Sequence, residues 1–345
     1  MSTQTNNRKE RCNILIFGTM SSGSSAMHNL LKEYDNIGHF SNEFDDFRAP
    51  GLVADQLSEA SSINFPNRIN KITGNSSFIK RLIFQSTFWN YLYDCIPKRY
   101  LEIDYQNNLL RKFKNKLISL NRSHLLRDLN KKLETNISFD EKIKFAGQWI
   151  QNIGNDFSLD KDYTLFDQPL LTSTDMSIWK TVFNPYKLII VYRNPKDQIA
   201  DIIKRRTLFT PYGPPYMTMA GDNLEAIYGK DKKGAIKFQI DAIQCRLKWI
   251  DYLETVLDRD HLLVMDFEGL VTKYDEYKLR VENFIGGIKD HHACKNKYFD
   301  PIRSKENIDI YRKYLDEDDL TDLSGLESWY EKRLEKEKME LERIK

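Results

Sequence analysis

The sequence predicts an α/β protein in which a parallel sheet is flanked by helices, and three observations carry that prediction. Four short apolar runs, residues 13–17, "YTLF" (163–166), "KLIIVY" (187–192) and "HLLVMD" (261–266), each pass into a polar turn and then a helical pattern, as buried parallel strands do. The first run opens onto a glycine- and serine-rich stretch, "ILIFGTMSSGSSAMHNLL" from Ile14 to Leu31, in which Gly18 and Gly23 are spaced as in G-x-x-x-x-G-K-[ST]. The third run ends at Arg193 and meets "NPKDQIADIIKRR", where Asn194 and Pro195 open a helix and Asp197 sits in its first turn. In such sheets ligands gather at the carboxyl ends of the strands, where both the Gly18 loop and Arg193 fall.

Taken in order, the polar start "MSTQTNNRKERCN" leads into the first strand with no apolar signal core. After the loop, Ala26, Met27, Leu30, Leu31 and Tyr34 recur at helical spacing. "HFSNEFDDFRAPG" (39–51) concentrates carboxylates soon after that helix. From about 55 to 160 the strand signal fades into a helical insertion, where residues 98–134 hold ten Lys or Arg against four Asp or Glu. That stretch reads either as a solvated helical face or as a surface for acidic glycans or lipid headgroups. "DQP" from Asp167 to Pro169 follows the second strand, a position that can face the pocket, and "DMSIWKTVF" places Lys180 ahead of the third. "LFTPYGPPYMTM" (208–219) is a stiff aromatic loop, read either as a lid on an acceptor or as core packing. Residues 316–345 carry eleven acidic and six basic residues with opposite charges around Glu331, Lys332, Glu335 and Lys336, which predicts an exposed, peripheral helix. With no repeat and no linker, the chain reads as one domain, residues 1–345.

Bulk properties narrow the function. Among 345 residues, 41% hydrophobic and 30% charged content describe a globular chain, and a net charge of +2 gives no overall basic field for nucleic acid. Cys12, Cys95, Cys245 and Cys294 form no C-x-x-C pair, so neither a metal nor a disulfide framework is expected. No window reaches the roughly 20 apolar residues of a membrane span, and a cytoplasmic enzyme is the expectation.

The loop itself predicts an anion site. A strand-to-helix turn aims backbone N–H groups and the positive end of a helix at its mouth, and Ser21, Ser22, Ser24 and Ser25 add hydroxyls around Gly23. One of Ser24 and Ser25 is also a candidate helix cap. Arg193, leaving a buried strand, can fork onto a phosphate or pair at a helix end. His28, on the loop helix, has an intrinsic pKa suited to proton transfer, against the reading of a hydrogen-bonded structural histidine.

Together these motifs resemble the sulfotransferases that use 3′-phosphoadenosine 5′-phosphosulfate (PAPS). Ser22, Gly23, Ser24 and Ser25 match the 5′-phosphosulfate loop, "VYRNPKDQ" is similar to the 3′-phosphate motif with Arg193 as its arginine, and "LLVMDFEGLV" (262–271) resembles the strand with Y-E-D-L. "YFDPIRSKENIDIYRKYL" (298–315) resembles the segment that closes over the donor, which brings in Ser304 and Lys305. The resemblance implies a P-loop-type fold, a sulfuryl donor, adenosine 3′,5′-bisphosphate (PAP) as product, no metal, and a carbohydrate or glycolipid hydroxyl as acceptor. It also implies a catalytic glutamate where Glu43 stands, with Asp45 and Asp46 as alternatives. Two positions depart from the pattern. Ser21 replaces the loop's Lys or Arg, which leaves the helix N–H groups and the Ser24 or Ser25 hydroxyls for that task, with Lys180 or Arg48 as candidate substitutes for the missing charge. Asp201 stands where a serine touches the 3′-phosphate, which predicts that it turns away, that the helix register differs, or that the donor site has decayed. A P-loop kinase and a noncatalytic anion-binding module are the competing readings.

Overall fold

The computed structural model describes residues 11–40, 43–48, 53–57, 128–129, 131–133, 135–157, 161–170, 174–209 and 231–344. Most of the expected insertion, including nearly all of its basic stretch, and residues 210–219 of the aromatic loop lie outside them.

Five parallel strands form one sheet in the order β2-β3-β1-β4-β5: β1 (Cys12–Gly18), β2 (Ile37–His39), β3 (Tyr163–Asp167), β4 (Tyr186–Tyr192) and β5 (Leu262–Asp266). The four strands expected from the sequence are present, and β2 joins them at one edge. Alternate residues feed opposite faces, as strand geometry requires. Leu15, Phe17, Phe166, Leu188, Ile190 and Tyr192 enter one core cluster, whereas Ile14, Ile16, Leu165, Ile189 and Val191 enter the other. Leu188 to Tyr192 are fully buried, and burying each such side chain stabilises the fold by about 1.5–3 kcal/mol.

Helices cover both faces. In chain order they are α1 (Ser24–Leu31), α2 (Asp45–Arg48), α3 (Val53–Leu57), α4 (Phe139–Phe157), α5 (Met176–Val182), α6 (Pro195–Lys204) and α7 (Lys232–Val256). They continue as α8 (Phe267–Thr272), α9 (Tyr274–Ile285), α10 (Pro301–Ser304), α11 (Tyr311–Tyr314), α12 (Glu317–Asp322) and α13 (Ser324–Ile344). Met27, Leu30 and Leu31 of α1 pack in one cluster, and Ile243, Leu247, Trp249 and Ile250 of α7 pack in the other. Among the described residues no helix is long and apolar enough to cross a membrane.

The carboxy-terminal region differs from the sequence expectation. Residues 316–345 are not one exposed helix: α12 and α13 are separate, and α13 buries Leu326, Tyr330, Arg333, Glu337 and Leu341 at helical spacing. Arg280 pairs with Glu337, and Arg333 and Lys336 both pair with Glu254. Tyr192 meets both Trp329 and Tyr330 edge to face. A charged sequence reads as solvated, but these charges are satisfied against other helices, so one face of the helix packs into the core while the other stays exposed.

Candidate active site

The Gly18 loop is held in a conformation that few side chains tolerate. Met20, Ser21 and Gly23 have φ of 69°, 43° and 91°, all in the left-handed region. Such strain persists only where surrounding contacts impose it. Ser22 Oγ accepts from the Thr19 N–H (2.9 Å), and Ser24 Oγ accepts from Gln168 Nε2 (2.9 Å), so two of the four serines brace the loop. Gly23 is the helix N-cap and no side chain caps α1, which corrects the expectation that Ser24 or Ser25 does so. The first amides bonded within the helix are Ala26 and Met27, both to the Gly23 carbonyl, so the N–H groups of Gly23, Ser24 and Ser25 stand at the open end of the turn.

A second constellation locks onto this loop. Arg193 leaves β4 and donates from Nη1 to the Ser21 carbonyl (2.9 Å) and from Nη2 to the Asn307 carbonyl. Its guanidinium lies over the Phe267 ring, 5.1 Å from the centroid, with Glu268 Oε1 3.9 Å from Nε. Phe267 also abuts Gly23: a Cβ there would come within 2.2 Å of the ring. Gln198 completes the junction by donating to Thr19 Oγ1 (3.1 Å) and to the Arg193 carbonyl (2.9 Å). Motifs about 170 residues apart are therefore one mechanical unit. As expected, Asn194 caps α6 by accepting from Lys196 N–H, with Pro195 in the first turn.

The loop opens into a cavity of about 630 Å³. Its wall carries six cationic side chains, Arg48, Arg193, Arg205, Arg246, Lys297 and Arg303, against the carboxylates Glu43, Asp201 and Asp300. An excess of positive charge in a concave site favours a polyanion. One wall is a strap, residues 292–311, tied down by two buried carboxylates. Glu33 accepts from the N–H groups of Asn296 (3.1 Å), Tyr298 (2.9 Å) and Phe299 (3.0 Å) and contacts His292 Nε2 (2.8 Å). Asp197 accepts from Asp309 N–H (2.8 Å) and Tyr311 N–H (3.0 Å). Burial raises the Asp197 pKa, and those two bonds together with the Arg193 charge offset only part of that rise. Beneath Arg193, burial and the Glu268 charge raise the Asp266 pKa well above the ordinary value, and Tyr330 O–H lies within hydrogen-bond reach of both carboxylates.

The structure brings most of the sequence candidates together. Ser21, Ser22, Gly23, Ser24, Ser25, Arg193 and Ser304 all line the cavity, as do Glu43 and Arg48, which form an ion pair. Lys305 is exposed one residue beyond the lining, and Arg303 and Asn307 reach the cavity instead. Asp45 and Asp46 lie in α2 beside Glu43. Asp201 has not turned away: it lines the cavity, with Arg205 Nε 2.7 Å from its Oδ2. A guanidinium one turn along the helix thus offsets the repulsion expected there.

Two candidates are corrected. Lys180 lies on α5 beside Asn184 and Tyr186, at the amino-terminal end of β4, whereas the loop stands at the carboxyl ends of the strands. His28 is buried behind the loop helix, outside the cavity lining, and its Nε2 has no partner among the described residues. Burial, with repulsion from His39 and Lys32, lowers its pKa to about 3, so it is a neutral core residue at physiological pH. Among the described residues no group of three His, Cys, Asp or Glu is arranged to hold a metal ion.

No family model and no curated protein matches the sequence. Among solved structures, the chain is similar to the sulfotransferase domain from the Synechococcus PCC 7002 olefin synthase, at 12% identity and a TM-score of 0.49 over 94% of this chain and 98% of that one. It is also similar to the sulfotransferase domain from the curacin biosynthetic pathway, at 13% identity and a TM-score of 0.43 over 92% and 98% of the two chains.

Arg246, Arg205 and Glu33 were not among the sequence candidates, whereas Gln168 of the "DQP" stretch lines the cavity. Gln168 carried a signal in "DQP", since it directly follows a strand, and its φ of 51° turns it onto Ser24. Arg246 and Glu33 sit in ordinary helical or polar surroundings, and only tertiary packing brings them to the loop and strap.

Proposed function

We propose that this protein transfers a sulfuryl group from 3′-phosphoadenosine 5′-phosphosulfate to a hydroxyl. The observation that carries the reading is one cationic cavity lined by both the Gly23–Ser25 turn and the Arg193 guanidinium, with Arg193 bonded to the same loop at the Ser21 carbonyl. A donor of this kind carries anionic groups at both ends of a nucleoside, and the residues present fit it: a glycine-shaped turn for one anion and a cluster of arginines for the other. In this reading Gly23, Ser24 and Ser25 offer main-chain amides to the 5′ end. Arg193 fixes the loop and faces the donor, while Arg205, Arg303 and Ser304 serve the 3′ end.

Sulfuryl transfer depends on positioning and electrostatics, as phosphoryl transfer does. The acceptor hydroxyl gives its proton to Glu43, and its oxygen bonds to sulfur. The bond between sulfur and the 5′-phosphate oxygen breaks, and the electron pair stays on the phosphate. Glu43 suits the role of base because it lines the cavity and Arg48 fixes it. The class of acceptor in this reading is a carbohydrate or glycolipid hydroxyl, as the sequence resemblance implies.

Calorimetry tests the donor. Adenosine 3′,5′-bisphosphate is expected to bind without magnesium and more tightly than ATP with magnesium. A preference for ATP with magnesium would indicate a kinase, and binding of neither would indicate that the site holds no nucleotide. Glu43→Ala is expected to leave that binding intact and to slow transfer of labelled sulfate by about 10²- to 10⁴-fold.

A further inference from the structure

The loop "GTMSSGSS" contains no basic residue, although a departing phosphate oxygen needs positive charge beside it. Among the described residues, the guanidiniums of Arg193 and Arg246 touch the loop's main chain. Arg193 holds the Ser21 carbonyl from the β4 side and also holds the strap at Asn307, so its bonds go to structural carbonyls. Arg246 comes from α7, which packs on the face of the sheet opposite α1, and its Nη1 donates to the carbonyl of Gly18 (3.3 Å), the last residue of β1. Its guanidinium lies 5.9 Å from the Phe17 ring centroid, while Phe17 itself packs on Trp249, one turn further along α7. Arg246 therefore reaches the mouth of the loop from a helix anchored in the core, and it lines the same cavity as Gly23, Ser24 and Ser25.

Three other cations of the wall each meet a partner of their own, as Arg246 does at Gly18. Arg48 pairs with Glu43, Arg205 with Asp201, and Lys297 lies over the Tyr298 ring (4.8 Å). Lys180 is at the far end of β4.

We infer that Arg246 supplies, from α7, the positive charge that Ser21 leaves out of the loop, and that it acts on the 5′-phosphate oxygen from which the sulfuryl group departs. This rests on the donor reading above. A guanidinium has five N–H donors in a planar fork, so one can hold the Gly18 carbonyl while others serve a phosphate. Charge delivered from a separate helix also allows the residue at position 21 to be small.

The test compares two nucleotides that differ only at the 5′ position. Wild type, Arg246→Ala and Arg246→Lys are titrated by calorimetry with adenosine 3′,5′-bisphosphate and with adenosine 3′-monophosphate. Wild type is expected to prefer the bisphosphate. Arg246→Ala is expected to lose about ten- to a hundredfold of that preference, the size of one charge-assisted hydrogen bond, with monophosphate affinity unchanged. Arg246→Lys is expected to recover part of it. Unchanged monophosphate binding doubles as the check of folding, and Arg246→Met, which keeps the stem against Phe17, replaces the alanine variant if that variant does not fold. A full bisphosphate preference in both Arg246→Ala and Arg246→Met would overturn the inference while leaving the donor reading in place. Wild type binding neither nucleotide would overturn both.

Discussion

Replacing Gly23 by alanine sets the loop against its own support. At φ of 91° an L-residue carries a backbone penalty of about 1–2 kcal/mol. The new methyl would lie 2.2 Å from Phe267 Cδ2, whereas carbon atoms rest about 3.5–4.0 Å apart, so something must move by more than an ångström. Phe267 is 4% exposed and has the Arg193 guanidinium over its ring, so the ring has little room to retreat. Forced overpacking adds about 1–3 kcal/mol. The loop is then expected to lift, carrying with it the Ser21 carbonyl that Arg193 holds. Urea unfolding followed by circular dichroism should show Gly23→Ala destabilised by about 2–5 kcal/mol, and calorimetry should show binding of adenosine 3′,5′-bisphosphate weakened by about a hundredfold. Phe267→Leu in the same chain should return part of the steric cost and none of the backbone cost. Stability within about 0.5 kcal/mol of wild type together with unchanged nucleotide affinity would refute the claim that this glycine's shape sets the cradle.

Three further outcomes are expected. Because burial holds His28 at about 3 against an ordinary 6.5, the unfolded chain takes up a proton that the folded chain refuses, so the stability from neutral His28 is present above pH 6.5 and lost as pH falls. The loss runs at about 1.4 kcal/mol per pH unit, and His28→Leu should remove that slope from urea titrations at pH 6 and below. Asp266 is the opposite case, since its raised pKa makes its contribution complete below the ordinary 3.8 and lost as pH rises through the folded value. Asp266→Asn, which can accept from Gly269 N–H and donate to Tyr330 oxygen, should flatten that decline and stabilise the protein at neutral pH by about 1 kcal/mol or more. Glu33→Gln turns an amide toward N–H donors and should cost about 2–4 kcal/mol, with faster hydrogen exchange at Asn296, Tyr298 and Phe299; unchanged exchange there would mean that the strap is held by other contacts.

The sheet was legible because its strands are buried on both faces and therefore run as unbroken apolar segments, from "KLIIVY" to "HLLVMD". β2 was not, since three residues, Ile37–His39, carry no period to read. The α13 helix was misjudged for a different reason. Its buried positions include Arg333 and Glu337, which the sequence shows only as charges, and their partners Glu254 and Arg280 lie tens of residues away. The same blindness hid Arg246, which on α7 looks like any arginine of an amphipathic helix until Gly18 is brought beside it. Lys180 fails by polarity of the strand. It precedes β4 by six residues and so belongs to the end opposite Arg193, whereas the loop and Arg193 both follow their strands and were legible from their motifs together with that rule.

The most direct measurement of the central claim is a crystal structure of the protein with adenosine 3′,5′-bisphosphate. The 5′-phosphate is expected within hydrogen-bond distance of the Gly23, Ser24 and Ser25 amides, with the nucleoside in the same cavity and its 3′-phosphate toward Arg205 and Arg303. Density for the nucleotide elsewhere, with that turn unengaged, would contradict it.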